Sequence, residues 1–269
     1  MIGVAGCGRM GAPMLAALRV AGFQAQGFDI RPLGDFPGTD HGITDDVEVF
    51  SQSLRTLITV VRDITQTDQL LFTDQKLIHA KHLDCIIICS TLSPRYIREL
   101  RARVPDHIAL IDAPMSGAQV AAQEARLSFM LGGAPADLAA AQPLFDAMGS
   151  HFHHMGPYGS GMQAKVLNNL LAAANTAMTR LVLDWGDAAG LDEAALLALI
   201  HTSSGQNWFA SNFDQIEFAR DGLSADNTIG ILVKDVESAL DAAPPGADTT
   251  LPRAVQDLTR KLQPRPSSC

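Results

Sequence analysis

The chain has 269 residues, 47% of them apolar and only 18% charged, which suits one large or two ordinary folded domains and excludes a chain that is disordered throughout. Acids outnumber bases by 29 to 20, for a net charge of −9; that balance excludes a protein whose affinity rests on tracking nucleic-acid phosphates, and no apolar run approaches the ~18 residues needed to span a bilayer. No basic stretch or cleavage-site pattern follows Met1, so no secretory leader is expected, and four cysteines without framework spacing fit a reducing, cytoplasmic setting better than a disulfide scaffold.

In chain order, Ile2–Ala5 reads as a strand, Met10–Ala21 as a helix and Gln24–Asp29 as a second strand. Leu57–Val61 and Cys85–Cys89 are further buried strands, with helical or mixed segments between them, and Ala109–Asp112 and Leu127–Leu131 are two more. Strands alternating with helices predict βαβ units, hence an α/β fold with a doubly wound, mostly parallel sheet. Their continuous apolar character is that of strands covered on both faces. Near Met148–Gly161 the glycines at 149, 156, 159 and 161 cluster with Pro157, which reads as a linker or domain boundary and gives domains of 1–160 and 161–269. Beyond it the pattern is helical. Met162–Ala189 is free of breakers except Gly186 and predicts one helix of about 28 residues, ~40 Å long, stopped by Gly190. Leu191–His201, Trp208–Arg220, Ile229–Ala242 and Pro252–Leu262 follow as shorter helices, and the tail Gln263–Cys269 reads as frayed.

Gly6-Cys7-Gly8-Arg9-Met10-Gly11 matches G-x-G-x-x-G. It follows a predicted strand, opens a predicted helix, and has Asp29 at the end of the next strand. In that setting Gly6 permits the tight turn, Gly8 lets backbone approach a pyrophosphate, and Gly11 allows close helix–strand packing. The helix start offers N–H groups and partial positive charge to phosphates. Asp29 is placed to accept hydrogen bonds from a ribose 2′-hydroxyl, and a 2′-phosphate would meet it as a like charge. NAD is therefore expected, with NADP as the alternative if Arg31 serves a 2′-phosphate.

Further motifs accompany that loop: GCGRMGAPM at Gly6–Met14, STLSP at Ser90–Pro94, DAPMSGA at Asp112–Ala118, GSGMQAKVLNN at Gly159–Asn169, and Lys234-Asp235 on a late helix. Together and in this order they resemble the β-hydroxyacid dehydrogenases, the family of 3-hydroxyisobutyrate dehydrogenase and tartronate semialdehyde reductase. The resemblance implies a Rossmann domain, a long interdomain helix at about 162–189, and an all-helical C-terminal domain that takes part in forming a homodimer or homotetramer. It implies NAD(P)-dependent oxidation of a small 3-hydroxy acid, or reduction of its semialdehyde, with the substrate between the domains. Carried over by position, it makes Lys165 the catalytic lysine, Asn169 a substrate-orienting residue, and Ser116 and Gly117 the substrate-carboxylate loop. Val61, Arg62, Thr91 and Lys234 become cofactor contacts beside Gly6, Gly8, Arg9, Met10 and Gly11.

Lys165 and Asn169 are four apart on a predicted helix and share a face. Oxidation needs a base for the hydroxyl proton, and reduction needs the same group as an acid. A lysine near pKa 10.4 is a poor base at neutral pH, so burial and the positive helix end near Gly161 are expected to lower it. Ser116 and Gly117 are expected on a loop at the carboxyl edge of the sheet, where ligands of open α/β sheets bind.

The chain departs from the family at Ala118, where a second glycine is usual, and at Ala125-Arg126-Leu127, where G-T-L is usual. Arg126 reads either as a cation for a diacid or as a solvated side chain. Arg62 stands where proline is usual, and Asn227 where an aromatic is often found. These changes leave the identity of the hydroxy acid open. His151, His153 and His154 invite a metal reading, but no acid or cysteine nearby completes a ligand set; they read as a polar strand, and no metal is expected. Cys85 and Cys89 read as buried apolar residues, while oxidation of Cys7 would obstruct the loop. Trp208 and Phe209, after Ser203-Ser204-Gly205, read as core in preference to pocket lining. Two rival readings remain: an imine reductase on the same scaffold, in which the lysine is typically absent, and a non-catalytic NAD(P)-binding scaffold protein.

Overall fold

In the computed structural model, which describes residues 1–36, 42–224 and 227–266, the chain divides into two units, Met1–Lys165 and Val166–Cys269. Among the described residues of the first unit, nine strands form one sheet: β1 (Ile2–Ala5), β2 (Ala25–Phe28), β3 (Ile43–Thr44), β4 (Thr56–Thr59), β5 (Cys85–Ile88), β6 (Ala109–Asp112), β7 (Met115–Ser116), β8 (Leu127–Gly132) and β9 (Gly149–Gly156). The order is β3-β2-β1-β4-β5-β6-β8-β7, with β9 also on β8. From β3 to β6 all pairing is parallel, and Ile2, Thr56, Cys85 and Ala109 lie in register. The chain reversal this requires puts a crossover on either face, and the apolar residues divide accordingly. Val4, Ile58, Ile87 and Ile111 pack on one side with Met14, Leu15 and Phe145. Leu57, Ile86, Ile88 and Leu110 pack on the other with Phe50, Leu71 and Met162. This is the doubly wound α/β fold that the alternating pattern predicts.

The helices of this unit are α1 (Gly11–Val20), α2 (Val47–Ser51), α3 (Ile64–Asp68), α4 (Pro94–Leu100), α5 (Ala118–Gln123) and α6 (Pro135–Met148). Helix α1 buries Gly11, Met14, Leu15 and Leu18, the i, i+3, i+4, i+7 stripe of a helix laid on a sheet. Helix α4 begins on Ser93, whose hydroxyl accepts from the Arg95 N–H at 3.2 Å, with Pro94 in the first turn. The Ser-Pro of STLSP is thus a helix start.

The glycine-rich stretch after Met148 is not a linker. It forms β9, paired in parallel with β8 from Leu127 opposite Gly149 to Gly132 opposite Gly156. Its glycines serve close packing: a Cβ on Gly149 would lie 2.4 Å from the Leu127 carbonyl oxygen, and one on Gly161 2.3 Å from that of Met130. His151, His153 and His154 stand exposed on this strand, and His151 Nδ1 lies 3.0 Å from Ser150 Oγ.

Helix α7 (Ser160–Ala188) carries the chain from the first unit into the second, followed by α8 (Glu193–Thr202), α9 (Trp208–Ser211), α10 (Thr228–Asp241) and α11 (Thr250–Arg260). The second unit packs around Leu183, Leu197, Phe209 and Phe213, and around Ala173, Leu232, Val236 and Val255. Two expectations fail here. The helix expected over Trp208–Arg220 stops after Ser211 and resumes only as a 3₁₀ turn at Phe213–Gln215. The Asn212 amide donates to the Trp208 carbonyl at 2.8 Å, competing with helix propagation, while Phe209 sets its ring against Phe213 and Phe218. The tail is also docked rather than frayed through Pro266. The Arg265 N–H donates to the Arg220 carbonyl at 2.8 Å, and its guanidinium meets Glu193, Asp184 and Asp187 at 2.6, 2.7 and 2.8 Å. Ser267–Cys269 lie outside the described residues.

Candidate functional site

The G-x-G-x-x-G segment bridges β1 and α1. Gly6 adopts φ +93°, and a Cβ there would press on the Val60 carbonyl at 2.7 Å; one on Gly11 would sit 2.0 Å from the Gly6 carbonyl oxygen. Gly8 differs. It is exposed, and a Cβ on it would meet nothing within 4 Å. Helix α1 starts on Met10 without a side-chain cap. Backbone that can be approached closely, in front of a helix start with no capping side chain, fits a dinucleotide pyrophosphate. Arg9 is exposed and Met10 half-buried beside it.

Asp29 follows β2 and is buried. Its Oδ2 accepts from the Cys7 N–H at 2.8 Å and from Arg31 Nη2 at 3.0 Å; its Oδ1 accepts from Arg31 Nε at 3.0 Å and the Arg31 N–H at 3.1 Å. Burial opposes the carboxylate's charge, but the bonds from Arg31 and the Cys7 N–H outweigh it and hold the carboxyl below its usual range. Arg31 also donates to the Cys7 carbonyl at 3.0 Å and lies over the Phe36 ring at 4.6 Å. The cation that the NADP alternative would need at a 2′-phosphate is thus drawn onto Asp29 and the glycine loop. Cys7 is buried, and desolvation, followed by the charge on Asp29, pushes its thiol up to about 12. A thiol raised in this way carries little of the thiolate that oxidants attack.

Val61 and Arg62 follow β4, Val61 packed on the side of the sheet that holds Phe50, Leu71 and Met162, and Arg62 exposed with its N–H on Gln66 Oε1 at 3.0 Å. Thr91 follows β5 and is half-buried. Ser116 is not on a loop. It lies in β7, paired antiparallel with Ser128 of β8, and Gly117 caps α5 at φ +135°. Ala118 keeps a left-handed backbone at φ +55°, as does Ala125 at +51°. Arg126 pairs with Glu124 and is half-exposed.

Lys165 and Asn169 sit one turn apart on α7, 7% and 9% exposed. The start of that helix is not the bare positive end the sequence suggests. The carboxylate of Asp112, last residue of β6, lies on it, accepting from the Gly159 N–H at 2.7 Å and the Met162 N–H at 2.6 Å. In the second unit the Asn169 amide donates to Asp235 Oδ2 at 2.5 Å, and Lys234 lies 3.3 Å from Asp235 Oδ1. Asn227 caps α10, accepting from the Gly230 N–H at 3.1 Å and donating to the Gly222 carbonyl at 2.7 Å. That is a helix-start role which an aromatic side chain would not supply. Asp112 and Asp235 have no role assigned from sequence, although each stands inside one of the family motifs. A charged residue closing a buried strand, and one beside Lys234, were the available signals.

Among the described residues no group of three or more His, Cys, Asp or Glu gathers as a metal would require, and no helix is long and apolar enough to cross a membrane.

Residues 1–156 match the family model for the NAD binding domain of 6-phosphogluconate dehydrogenase, and residues 159–264 that for the NAD-binding region of NADP-dependent 3-hydroxyisobutyrate dehydrogenase. The chain is 29% identical to an NAD-dependent L-serine dehydrogenase of Pseudomonas aeruginosa, covering 91% of this chain and 86% of that one. It is 31% identical to the mitochondrial 3-hydroxyisobutyrate dehydrogenase of Bos taurus, covering 90% and 75%. Among solved structures, a Mycobacterium tuberculosis 3-hydroxyisobutyrate dehydrogenase with L-serine is similar at a TM-score of 0.83 and 26% identity, covering 97% and 95%.

Proposed function

The chain belongs to the β-hydroxyacid dehydrogenase family of NAD(P)-dependent oxidoreductases, and from that membership we propose that it interconverts a small 3-hydroxy acid and its semialdehyde with Lys165 as the proton-transfer group. The observation that carries the reading is the burial of Lys165 and Asn169 one turn apart on α7. A lysine whose only task is to solvate a helix face keeps its head in water.

A nicotinamide dinucleotide, when bound, supplies the acceptor for the hydride leaving the hydroxyl-bearing carbon. The Gly6–Gly11 loop and the start of α1 hold its pyrophosphate, and Asp29 meets its ribose. NAD is preferred, because Asp29 stays ionised and would repel a 2′-phosphate; NADP serves where Arg31 leaves Asp29 for that phosphate. Val61, Arg62, Thr91 and Lys234 line the remainder of the cofactor. Ser116 and the Gly117 backbone take the substrate carboxylate. The Asn169 amide, steadied by Asp235, orients the hydroxyl, and Lys165 Nζ accepts the hydroxyl proton in oxidation and returns it in reduction. Small 3-hydroxy acids, L-serine among them, are the substrate class. The protein works as a homodimer or homotetramer.

The test is a panel of small 3-hydroxy acids, L-serine and a cyclic imine, each assayed with NAD and with NADP. Oxidation of at least one hydroxy acid is expected, with Lys165→Ala lowering kcat by ~10²–10⁴-fold while NADH affinity is unchanged. Turnover of the imine alone, or near-native turnover by Lys165→Ala, overturns the reading.

A further inference from the structure

We propose that Asp112 is a positioning residue for this reaction: by gripping the backbone at the start of α7, its carboxylate fixes the turn that presents Lys165. The proposal rests on the lysine reading above, since Asp112 acts only through α7. Asp112 is fully buried, so it does not touch substrate itself. Its two oxygens take separate donors, Gly159 N–H on Oδ1 at 2.7 Å and Met162 N–H on Oδ2 at 2.6 Å. These donors bracket the first turn of the helix.

The surroundings leave that turn no alternative seat. Asp112 pairs with Gly132 where the parallel sheet becomes antiparallel. A Cβ on Gly132 would lie 2.3 Å from Asp112 Oδ1 and 2.8 Å from the Gly161 nitrogen, and a Cβ on Gly161 would lie 2.9 Å from the Asp112 carbonyl oxygen. The helix start is thus seated directly on the ends of β6 and β8. On its other flank Met162 is fully buried, and its sulfur accepts the Leu92 N–H at 3.3 Å. Lys165 comes three residues after Met162, so a shift or rotation of the first turn is passed to its side chain.

Capping alone does not call for a carboxylate. A neutral Ser or Asn caps a helix as well, without the cost of a charge taken out of water. What the carboxylate adds is two acceptor oxygens of equal strength, each on its own N–H. Asparagine offers one, and its amide group would face the other N–H donor to donor.

The experiment is a double-mutant cycle on the full-length protein with saturating cofactor. Asp112→Asn is expected to lower kcat by ~10–100-fold in the native background, as displacement of a reacting group by about an ångström does. In Lys165→Ala the same change is expected to lower the residual rate less than ~2-fold. Hydrogen exchange of the amides from Gly161 to Lys165 is expected to quicken at least ~10-fold in Asp112→Asn. Equal losses in both backgrounds, or unchanged exchange, overturn the proposal. Should Asp112→Asn not fold, Asp112→Ser, a smaller neutral cap, runs the same cycle. If the native protein binds NADH but oxidises nothing in the panel, the functional reading falls and the catalytic part of this proposal with it; the exchange measurement still decides whether Asp112 anchors the helix.

Discussion

Ala118 and Ala125, at positions where the family resemblance leads one to expect glycine, adopt a left-handed backbone at φ +55° and +51°, a conformation that favours glycine. A Cβ is crowded against the following carbonyl in that region. Ala118→Gly and Ala125→Gly are therefore each expected to raise stability by about 0.5–1 kcal/mol, the relief exceeding the chain entropy that glycine adds. The urea midpoint measures it, and a lowered midpoint would refute the strain. Asp112 carries a second residue-level consequence. Burial pushes its carboxyl from 3.8 up to about 6, against the pull of the Gly159, Met162 and Gly161 N–H groups. A carboxyl raised on folding contributes stability below its unfolded value that is lost as pH rises through its folded value. The window is thus pH 4 to 6, and the loss there is at most about 3 kcal/mol. Unfolding of the native protein and Asp112→Asn should diverge across this window, the variant gaining on the native protein as pH rises. A constant difference would exclude the titration. Tyr158, whose phenol burial raises well above its ordinary range, is the neighbouring group that Asp112 also influences, and it stays neutral throughout.

At the scale of elements, two glycines of the phosphate loop predict opposite phenotypes. Gly8 faces open space, whereas a Cβ on Gly11 collides with the Gly6 carbonyl oxygen. Gly8→Ala is expected to leave the melting temperature within about 2 °C while weakening NADH binding at least ~10-fold, because the methyl stands in the pyrophosphate's approach. Gly11→Ala is expected to lower both stability, by about 1–3 kcal/mol, and binding. Thermal unfolding and NADH fluorescence titration separate the two. The element pattern itself was largely legible. Short, mostly apolar runs announced β1, β4, β5 and β6, and the breaker-free run announced α7 to within two residues at each end. What could not be read was set by contacts distant in the chain. β9 exists because Gly149 fits against the Leu127 carbonyl, β7 is two residues long, and α9 ends where Asn212 turns back on Trp208. The site divided in the same way. Residue types and spacing pointed to the loop and Asp29, whereas Lys165 and Asn169 were singled out by the resemblance to the family and spacing added only that they share a helix face. Asp112 and Asp235 became visible only when β6 met the start of α7 and when α10 met α7 within the second unit.

For the whole molecule, the unanswered surface is the outer face of α7. Leu167, Leu171, Met178 and Trp185 are each more than half exposed. At 100° per residue their spacing of four, seven and seven places them within an arc of about 40°. They form a continuous apolar stripe along the part of the helix belonging to the second unit. Isolated exposed leucines need no explanation, but a stripe at heptad intervals is the pattern by which helices pack on helices. If the homodimer or homotetramer proposed above forms through this stripe, a second copy of the chain covers it. Light scattering at low micromolar concentration is expected to give a mass of at least twice that of the chain. Leu171→Glu with Trp185→Glu, which puts two carboxylates into the stripe, should reduce it to that of one chain. NADH binding is expected to persist in this variant, because the Gly6–Gly11 loop lies in the first unit, far along the sequence from either substitution. A native protein that is monomeric throughout would leave the stripe without the partner assigned to it.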